Sequence, residues 1–494
     1  MVLTLLQERR YNMARNDSQP SYQVLICLIE IWDLQDPKKP MEEPSSPLLI
    51  AEVESLQIED SYRKLIGEAS VKFPRGTVIK KTITQINGEE YSSKITANLD
   101  DNGVLVTTRT DSKLATVADF KVGQRIRIRL GYLNPLVRED LDIMATMKPN
   151  KQGKSIYNDS SMLNKYKEKM SIMFDGYITK CSISTPIEIK CENLASGLKK
   201  ISCPKVTASK NMTVNDFLAD DGKYKLLKDS GLSLHPDTKA CEINIGKVNL
   251  TTDLTVADVL TEWGKYKVFA YVKDNNGTPC IAVGRSYFSN PGKDSILNGD
   301  PNSEVPKILF DYHVAQDGLT LMDTDKAFLA VEATALTNDS KFYHITVRRN
   351  PDYDSSKEGS KKYQVLNETK LSKKAMKLGA TPLTKSKDKV DLKQYNVIPY
   401  MSRKIGISKE DLLDEAIKYL ESYNMNGIEG SLTLFGDFAL KTATKVELVD
   451  NRYPEKNGYY LVDEVSTSFG TGGYRQTIKL PYCISKIKKE KTDE

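Results

Sequence analysis

Histidine is scarce in this chain. Its 494 residues include only His235, His313 and His344, far apart in sequence. This leaves little for general-base or metal chemistry, where imidazole is the commonest participant. The seven cysteines (Cys27, Cys181, Cys191, Cys203, Cys241, Cys280 and Cys483) form no CxxC spacing and no Cys/His cluster. An odd, scattered set supports neither zinc nor a disulfide framework, so the thiols read as buried and free in a reducing compartment. The expected cofactor and metal content is therefore none. No run approaches the ~18 apolar residues of a membrane span. The longest, Val24–Trp32, carries Glu30 and fits a buried strand. At the N-terminus the charges follow a very short apolar stretch, the reverse of a secretory signal, which suggests an arm or short helix. The expectation is assembly in a cytoplasm with no stable membrane insertion.

Catalytic signatures are also missing. There is no G-x-S-x-G elbow, no HExxH and no Cys/His pairing in a recognisable setting. No catalytic residue is therefore assigned, and the expectation is that the chain is not an enzyme. Carboxylate pairs such as Asp100/Asp101 and Asp220/Asp221 sit in turn contexts. Around Asn98, Asp100, Asn102 and Gly103 the spacing begins like a calcium loop, but Arg109 stands where a bidentate Glu is required. Asp274, Asn276 and Gly277 read as a hairpin turn, as does Gly470–Gly473, which lies between strands.

What the sequence does contain is mostly strand. In Arg125–Gly131, RIRIRLG, Ile126, Ile128 and Leu130 share one face and Arg125, Arg127 and Arg129 the other. Several such segments with turn signals place a barrel or sandwich at 48–200, preceded by an arm and strand at 1–47 and interrupted by a charged insertion at 134–169. A repeat follows. Thr213, Val214, Asp216, Leu218, Gly222 and Lys223–Lys225 recur as Thr255, Val256, Asp258, Leu260, Gly264 and Lys265–Lys267 at one constant offset. Each Thr/Asp pair is a capping box opening a short helix, each Gly closes it, and each KYK begins a strand. The 201–306 segment thus reads as a mixed α/β module ending in a hairpin at Asn276-Gly277.

Strands return at 307–350. Segment 351–426 is a basic insertion followed by a helix at Ser408–Tyr423, with Asp411 as the N3 partner, Ile407 and Leu412 as a staple, and a stripe of Leu412, Leu413, Ala416, Ile417 and Leu420. Strands resume over 427–485, and 486–494 is a charged tail. The net charge is only +5, yet residues 341–404 hold sixteen Lys/Arg against six Asp/Glu. That excess leaves open a nucleic-acid footprint, an acidic neighbour or plain solvation.

Certain strands carry a resemblance. Phe120-Lys-Val-Gly123-Gln-Arg-Ile126-Arg-Ile128-Arg-Leu-Gly131-Tyr132, then Met173-Phe174-Asp175-Gly176-Tyr-Ile178, then Ile187-Glu-Ile189-Lys-Cys191-Glu-Asn193 follow one another. At the far end Tyr460-Leu-Val462-Asp-Glu-Val465 through Phe469 precedes Gly473-Tyr474-Arg475-Gln476-Thr-Ile478-Lys-Leu480. In this order they resemble the hub family of contractile and related tails, which takes in the phage baseplate hub, the late-control D protein and the hub half of the type VI secretion spike. The resemblance spans about 50–485. It departs where the family's usual His in the last pair is replaced at Thr467 or Ser468, and near Ala443, where a glycine is usual.

The resemblance implies an α+β, β-rich fold: two hub-type β-barrel domains (48–200, and 307–350 with 427–485) flanking the α/β middle domain, with an inserted helix. It further implies a homotrimer whose barrels make a pseudo-sixfold ring joining the tail tube to a separate spike or tip protein. Such a ring surrounds a channel passing DNA or cargo without sequence recognition, in a virion tail or injection device assembled in a bacterial host. Two other readings stay open: a nucleic-acid-binding protein using 341–404, and a tail-associated glycan hydrolase.

Overall fold

A computed structural model describes residues 23–32, 47–86, 96–99, 105–147, 160–228, 230–241, 244–250, 254–264, 268–275, 277–285, 305–321, 329–336, 341–350, 362–372, 396–402, 407–423 and 428–486. The N-terminal β region supplies β1 (Val24–Trp32), β2 (Leu48–Ile50), β3 (Ser55–Ser61), β4 (Glu68–Phe73), β5 (Val78–Ile86), β6 (Thr96–Leu99), β7 (Leu105–Leu114), β8 (Arg125–Leu133), β9 (Met170–Cys181) and β10 (Ile187–Asn193). The middle contributes β11 (Val206–Thr213), β12 (Ser233–Leu234), β13 (Asn244–Leu250), β14 (Val268–Asn275) and β15 (Thr278–Arg285). Then come β16 (Lys307–Leu309), β17 (Val314–Asp317), β18 (Thr320–Leu321), β19 (Leu329–Leu336), β20 (Lys341–Arg349), β21 (Tyr363–Ser372) and β22 (Asn396–Met401). The C-terminal region adds β23 (Ile428–Glu429), β24 (Leu432–Phe435), β25 (Lys445–Val449), β26 (Gly458–Leu461), β27 (Glu464–Gly470), β28 (Gly473–Lys479) and β29 (Tyr482–Lys486).

The fold is β-rich, as the sequence implies, but neither β region closes into a barrel. The strands instead form one 14-stranded sheet in the order β17-β24-β28-β27-β3-β4-β10-β9-β8-β1-β2-β5-β7-β6. The cause is the partner of β3. The edge that closure of the first barrel would require is taken by β27, in register from Ser61↔Glu464 to Ser55↔Gly470. The sheet still curls. Ile50 and Ile79 from one side share a core with Leu56, Ile58, Ile126, Ile128 and Phe174 from the other. A second core lies under β24, β27 and β28, where Leu432, Leu434, Val465 and Ile478 pack on Ile308, Val446, Leu448 and Tyr460 of the smaller sheet β16-β25-β26-β29. Ile126, Ile128 and Leu130 are 0–1% exposed, each stabilising by about 1.5–3 kcal/mol on burial.

The described residues of the 134–169 insertion form the helices Arg138–Met147 and Ser160–Glu168. Ile143 and Tyr166 seal the outer side of β1 and β8 against Ile26, Leu28 and Leu133. This is why β1 reads as a near-continuous apolar run: both its faces are covered.

β19 and β20 do not join a second barrel, contrary to the sequence-based assignment of 307–350. They pair instead with β21 and β22 in a separate four-stranded sheet, β21-β20-β19-β22. The helix Lys409–Tyr423 lies on that sheet, not across a barrel. Leu412, Ala416 and Leu420 bury Val331, Ala333, Ile345 and Val347. The apolar face of β19 and β20 needs a cover, and the nearest apolar stripe in sequence provides it. The Ser408 Oγ acceptor for the Asp411 N–H, at 3.1 Å, and the buried Ile407/Leu412 contact both form as the sequence predicts. Most of the basic stretch, 351–361 and 373–395, lies outside the described residues, as do the N-terminal arm and the C-terminal tail.

Both repeat caps form. Thr213 Oγ1 and its N–H donate to the Asp216 carboxylate, and Thr255 does the same to Asp258. The two units then diverge. Helix Val214–Leu218 ends before Gly222, whereas Val256–Gly264 runs to its glycine. Lys223–Lys225 form a bend and not a strand, with Lys225 at φ 52. The second KYK, 265–267, is outside the described residues. The β14–β15 hairpin turns between Asn275 and Thr278, with Gly277 at φ 85.

Candidate functional site

Catalytic constellations can be tested directly at the three histidines. His344, 5% exposed, places Nε2 2.6 Å from Glu332 Oε1 and Nδ1 3.2 Å from Thr334 Oγ1. The Thr–His–Glu order mimics a nucleophile–base–orienter set. However, all three are cross-strand neighbours on β19 and β20, with Thr334 itself 8% exposed. His313 Nδ1 accepts the Leu309 N–H at 3.0 Å, and burial pushes its pKa down against the opposing pull of Asp437. His235 sits 3.4 Å from the Asp237 carboxylate and accepts its N–H, with burial again lowering its pKa. Burial pushes the Cys27, Cys191 and Cys203 thiols up, away from reactive thiolate. Among the described residues no cluster of three or more His, Cys, Asp or Glu side chains could hold a metal. Of the calcium-like loop, Asp100, Asn102 and Gly103 lie outside the described residues, while Asn98 is on β6 and Arg109 on β7. The Asp274 cluster is a hairpin end, and Asn276 is not described.

The feature that stands out is a sheet face. From β9 through β10, β4, β3, β27, β28 and β24 to β17, alternate residues point inward to the two cores. The others point outward, and over β10, β4, β3, β27, β28, β24 and β17 no layer of the described residues covers them, whereas β9 meets the helix Ser160–Glu168 at Met170 and the middle module at Tyr177. Cross-strand register arranges the outward residues in rows. One row runs Tyr177, Glu192, Glu68, Glu59, Ser466, Thr477, Thr433, Gln316. The neighbouring row runs Lys180, Lys190, Ser70, Gln57, Ser468, Arg475, Phe435. Rows two residues apart along a strand lie roughly 7 Å apart. Glu59, Glu68, Gln57, Ser468, Lys180 and Lys190 are exposed. In the first row three carboxylates stand directly opposite one another, which costs stability unless something else requires it. Of these three, Glu192 carries a lysine, Lys199 at 2.7 Å. The middle module bounds this face beside Tyr177, which packs with Leu65, Leu194 and Ala195 against the core of that module.

Close approach fixes two glycines. A Cβ on Gly176 would sit 2.1 Å from the Glu192 carbonyl of the neighbouring β10, where Gly176 pairs with Asn193. One on Gly436 would meet the Tyr474 ring at 2.2 Å. The first explains the glycine of the Phe174-Asp175-Gly176 motif.

The seam between β3 and β27 continues past the ladder. Tyr62 N–H donates to the Asp463 carbonyl (3.2 Å), Arg63 Nε to Asp463 Oδ1 (2.9 Å), and Thr442 Oγ1 to Asp60 Oδ2 (3.0 Å). Tyr132 stacks on Tyr474 with centroids 5.6 Å apart. Those two rings, with Gln23, Leu25, Phe435, Asp437, Gly473 and Arg475, line an open cleft of about 380 Å³. Burial raises the pKa of both phenols, Tyr132 to about 12. None of these lining residues is an activated nucleophile.

No known family profile matches the sequence, and neither does any curated protein. Several solved structures align with most of the chain. A tail protein from Neisseria meningitidis MC58 is 11% identical with a TM-score of 0.44, the alignment covering 92% of this chain and 96% of that one. A 43 kDa tail protein of prophage MuSo2 from Shewanella oneidensis is 8% identical at a TM-score of 0.42, covering 92% and 98%. A chain of the Francisella PdpA–VgrG complex is 11% identical at 0.42, covering 96% of this chain but 61% of that chain.

Proposed function

We propose that this chain is a structural hub of a phage tail or related injection device. In this reading it is a homotrimer that joins the tail tube to a spike or tip, with its open sheet face lining the passage for DNA or cargo. The observation that carries the proposal is that face. It crosses from the first β region to the last without a break through β3–β27, and its outward residues are short polar groups and carboxylates together with Lys72, Lys190 and Arg475. The motif order in the sequence supports the same reading. A passage for a polyanion should not grip phosphates, since every lysine or arginine contact adds salt-dependent affinity. The Glu192–Glu68–Glu59 row fits that requirement and gives the opposed carboxylates a reason to persist. The sheet ends at β17 and β6. Pairing of such ends between neighbouring copies would remove exposed edges in a closed ring.

Electron microscopy of the purified protein with its tail components tests this. A threefold ring is expected, with a probe on Ser468→Cys lying at the inner wall. A monomer that associates with no tail component, or a probe on the outside of the ring, overturns it. The chain used alone in a salt-titrated DNA assay should bind weakly. A steep log-linear salt slope would favour a basic footprint in 341–404 instead.

A further inference from the structure

The seam that joins the two β regions holds one buried carboxylate, Asp463, and one half-buried, Asp60, without a matching number of contacting cations among the described residues. Asp463 is 5% exposed and lies where β3 hands over to the β3–β4 turn, with Tyr62 N–H on its carbonyl and Arg63 on its side chain. Asp60, on β3, accepts from Thr442 Oγ1 and from the Ser61 N–H at 3.1 Å, and it packs against Gly67. The charged groups facing Asp463 are Arg63 from the β3–β4 turn, Glu464 of β27 and Lys479 of β28. Those facing Asp60 reduce to Lys441, from the segment before β25. Lys479 is drawn to Glu464 at 2.6 Å, and Lys441 to Asp274 at 3.8 Å. Among the described residues Arg63 is therefore the one guanidinium in direct contact with either seam carboxylate.

We infer that this seam is an acid-tightened lock: protonating Asp463, with Asp60 beside it, strengthens the hold of β27 on β3. The physical basis is desolvation. Burial raises Asp463 to about 6 despite Arg63, and burial likewise raises Asp60. A carboxyl whose folded-state pKa lies above its unfolded value of 3.8 binds protons more tightly when folded. The stabilisation it gives is complete below the unfolded value and is lost as pH rises through about 6. Between those limits the lock tightens by up to about a hundredfold, because the equilibrium gains a factor of about ten for each pH unit separating the folded and unfolded values.

Hydrogen exchange of the β3 and β27 amides, corrected for the intrinsic pH dependence of exchange, reads the seam in the intact chain. Protection should rise tens of fold from pH 7.5 to 4.5 while the β19–β20 amides, remote from the seam, change less. Asp463→Asn keeps an oxygen for Arg63 and should flatten most of the slope, holding protection near the acid value at every pH. Arg63→Gln removes the offsetting cation and should move the midpoint to higher pH. A flat wild-type profile overturns the lock. So does a slope that survives Asp463→Asn, or a midpoint that falls in Arg63→Gln. None of these outcomes depends on whether the chain forms a ring.

Discussion

The outer surface of the large sheet exists in two versions. Over β1, β8 and β9 it is roofed by the helices Arg138–Met147 and Ser160–Glu168. Over β10, β4, β3, β27 and β28 it is bare of any described layer. Alternation is equally clean in both halves, so the difference lies in what occupies the outward positions. On the outer positions of this half stand Arg125, Arg127 and Arg129, with stems long enough to reach Asp175 and Glu30, the last also held by Lys167 from the roof. Trp32 lies beneath the first two guanidiniums, 5.8 and 5.2 Å from its centroid. Burial pushes the Glu30 carboxyl up, but Lys167 at 2.6 Å and Arg129 at 2.9 Å outweigh it, and its pKa ends below the usual value. On the bare half stand Ser70, Gln57, Ser466, Ser468 and a glutamate row, with Lys72, Lys190 and Arg475 among them. A buried charge layer belongs to a face committed to an internal partner. The short polar face is committed to none among the described residues.

The first way to break the comparison is to remove one acid from each half. Glu30→Ala strands Arg129 and Lys167 under the roof and should cost about 3 kcal/mol, in line with the loss of one partner of a buried pair. Glu59→Ala on the bare half should stay within about 0.5 kcal/mol. Denaturant unfolding measures both, and equal costs would abolish the distinction between the halves.

The middle module sharpens it on a smaller scale. Thr213→Ala and Thr255→Ala each remove a capping box and should each cost about 1 kcal/mol. The contexts differ, because Val256–Gly264 is the longer helix and carries Val259, Leu260 and Trp263 into the core. Near-additive losses in the double variant, measured by the same unfolding, would show the two caps acting independently.

How much of this is legible in the sequence follows from what each signal can carry. The inward set Ile126, Ile128 and Leu130, the caps at Thr213 and Thr255, and the Ser408 start are readable, because periodicity and capping are local. The neighbour of a strand is not local. Nothing in Ser55–Ser61 announces that its partner is Glu464–Gly470, about 400 residues on. Two regions with barrel-like patterning therefore predict two separate closures, whereas each completes the edge of the other. The roof escapes a sequence reading for a related reason. Residues 134–169 are charged, and among the described ones Ile143, Tyr166 and a few neighbours turn inward, so their periodicity is weak. For β19 and β20 the strands are legible and the sheet is not, since an apolar face does not say which cover it will meet. The bare face needs register as well as alternation: Glu59, Glu68 and Glu192 are unremarkable singly and form a row only once β3, β4 and β10 are aligned.

That row supplies the smallest expected effect and the most discriminating one. Glu68→Lys places a cation between Glu59 and Glu192, turning two like-charged cross-strand contacts into opposite ones. The isolated chain should gain about 0.5 kcal/mol. The gain should shrink as salt rises, because the side chains are exposed and screening shortens their reach to ~8 Å at physiological ionic strength. If the face serves only the fold, that is the whole consequence and the variant is simply better. If it is the wall of a passage, the same lysine adds a phosphate contact to each copy. DNA affinity measured on the assembled ring should then gain a salt slope of about one per contact. A variant more stable by denaturation yet adhesive to DNA would show that the carboxylates are retained against the interest of the fold. More stability with no change in DNA binding would return them to the status of ordinary surface residues.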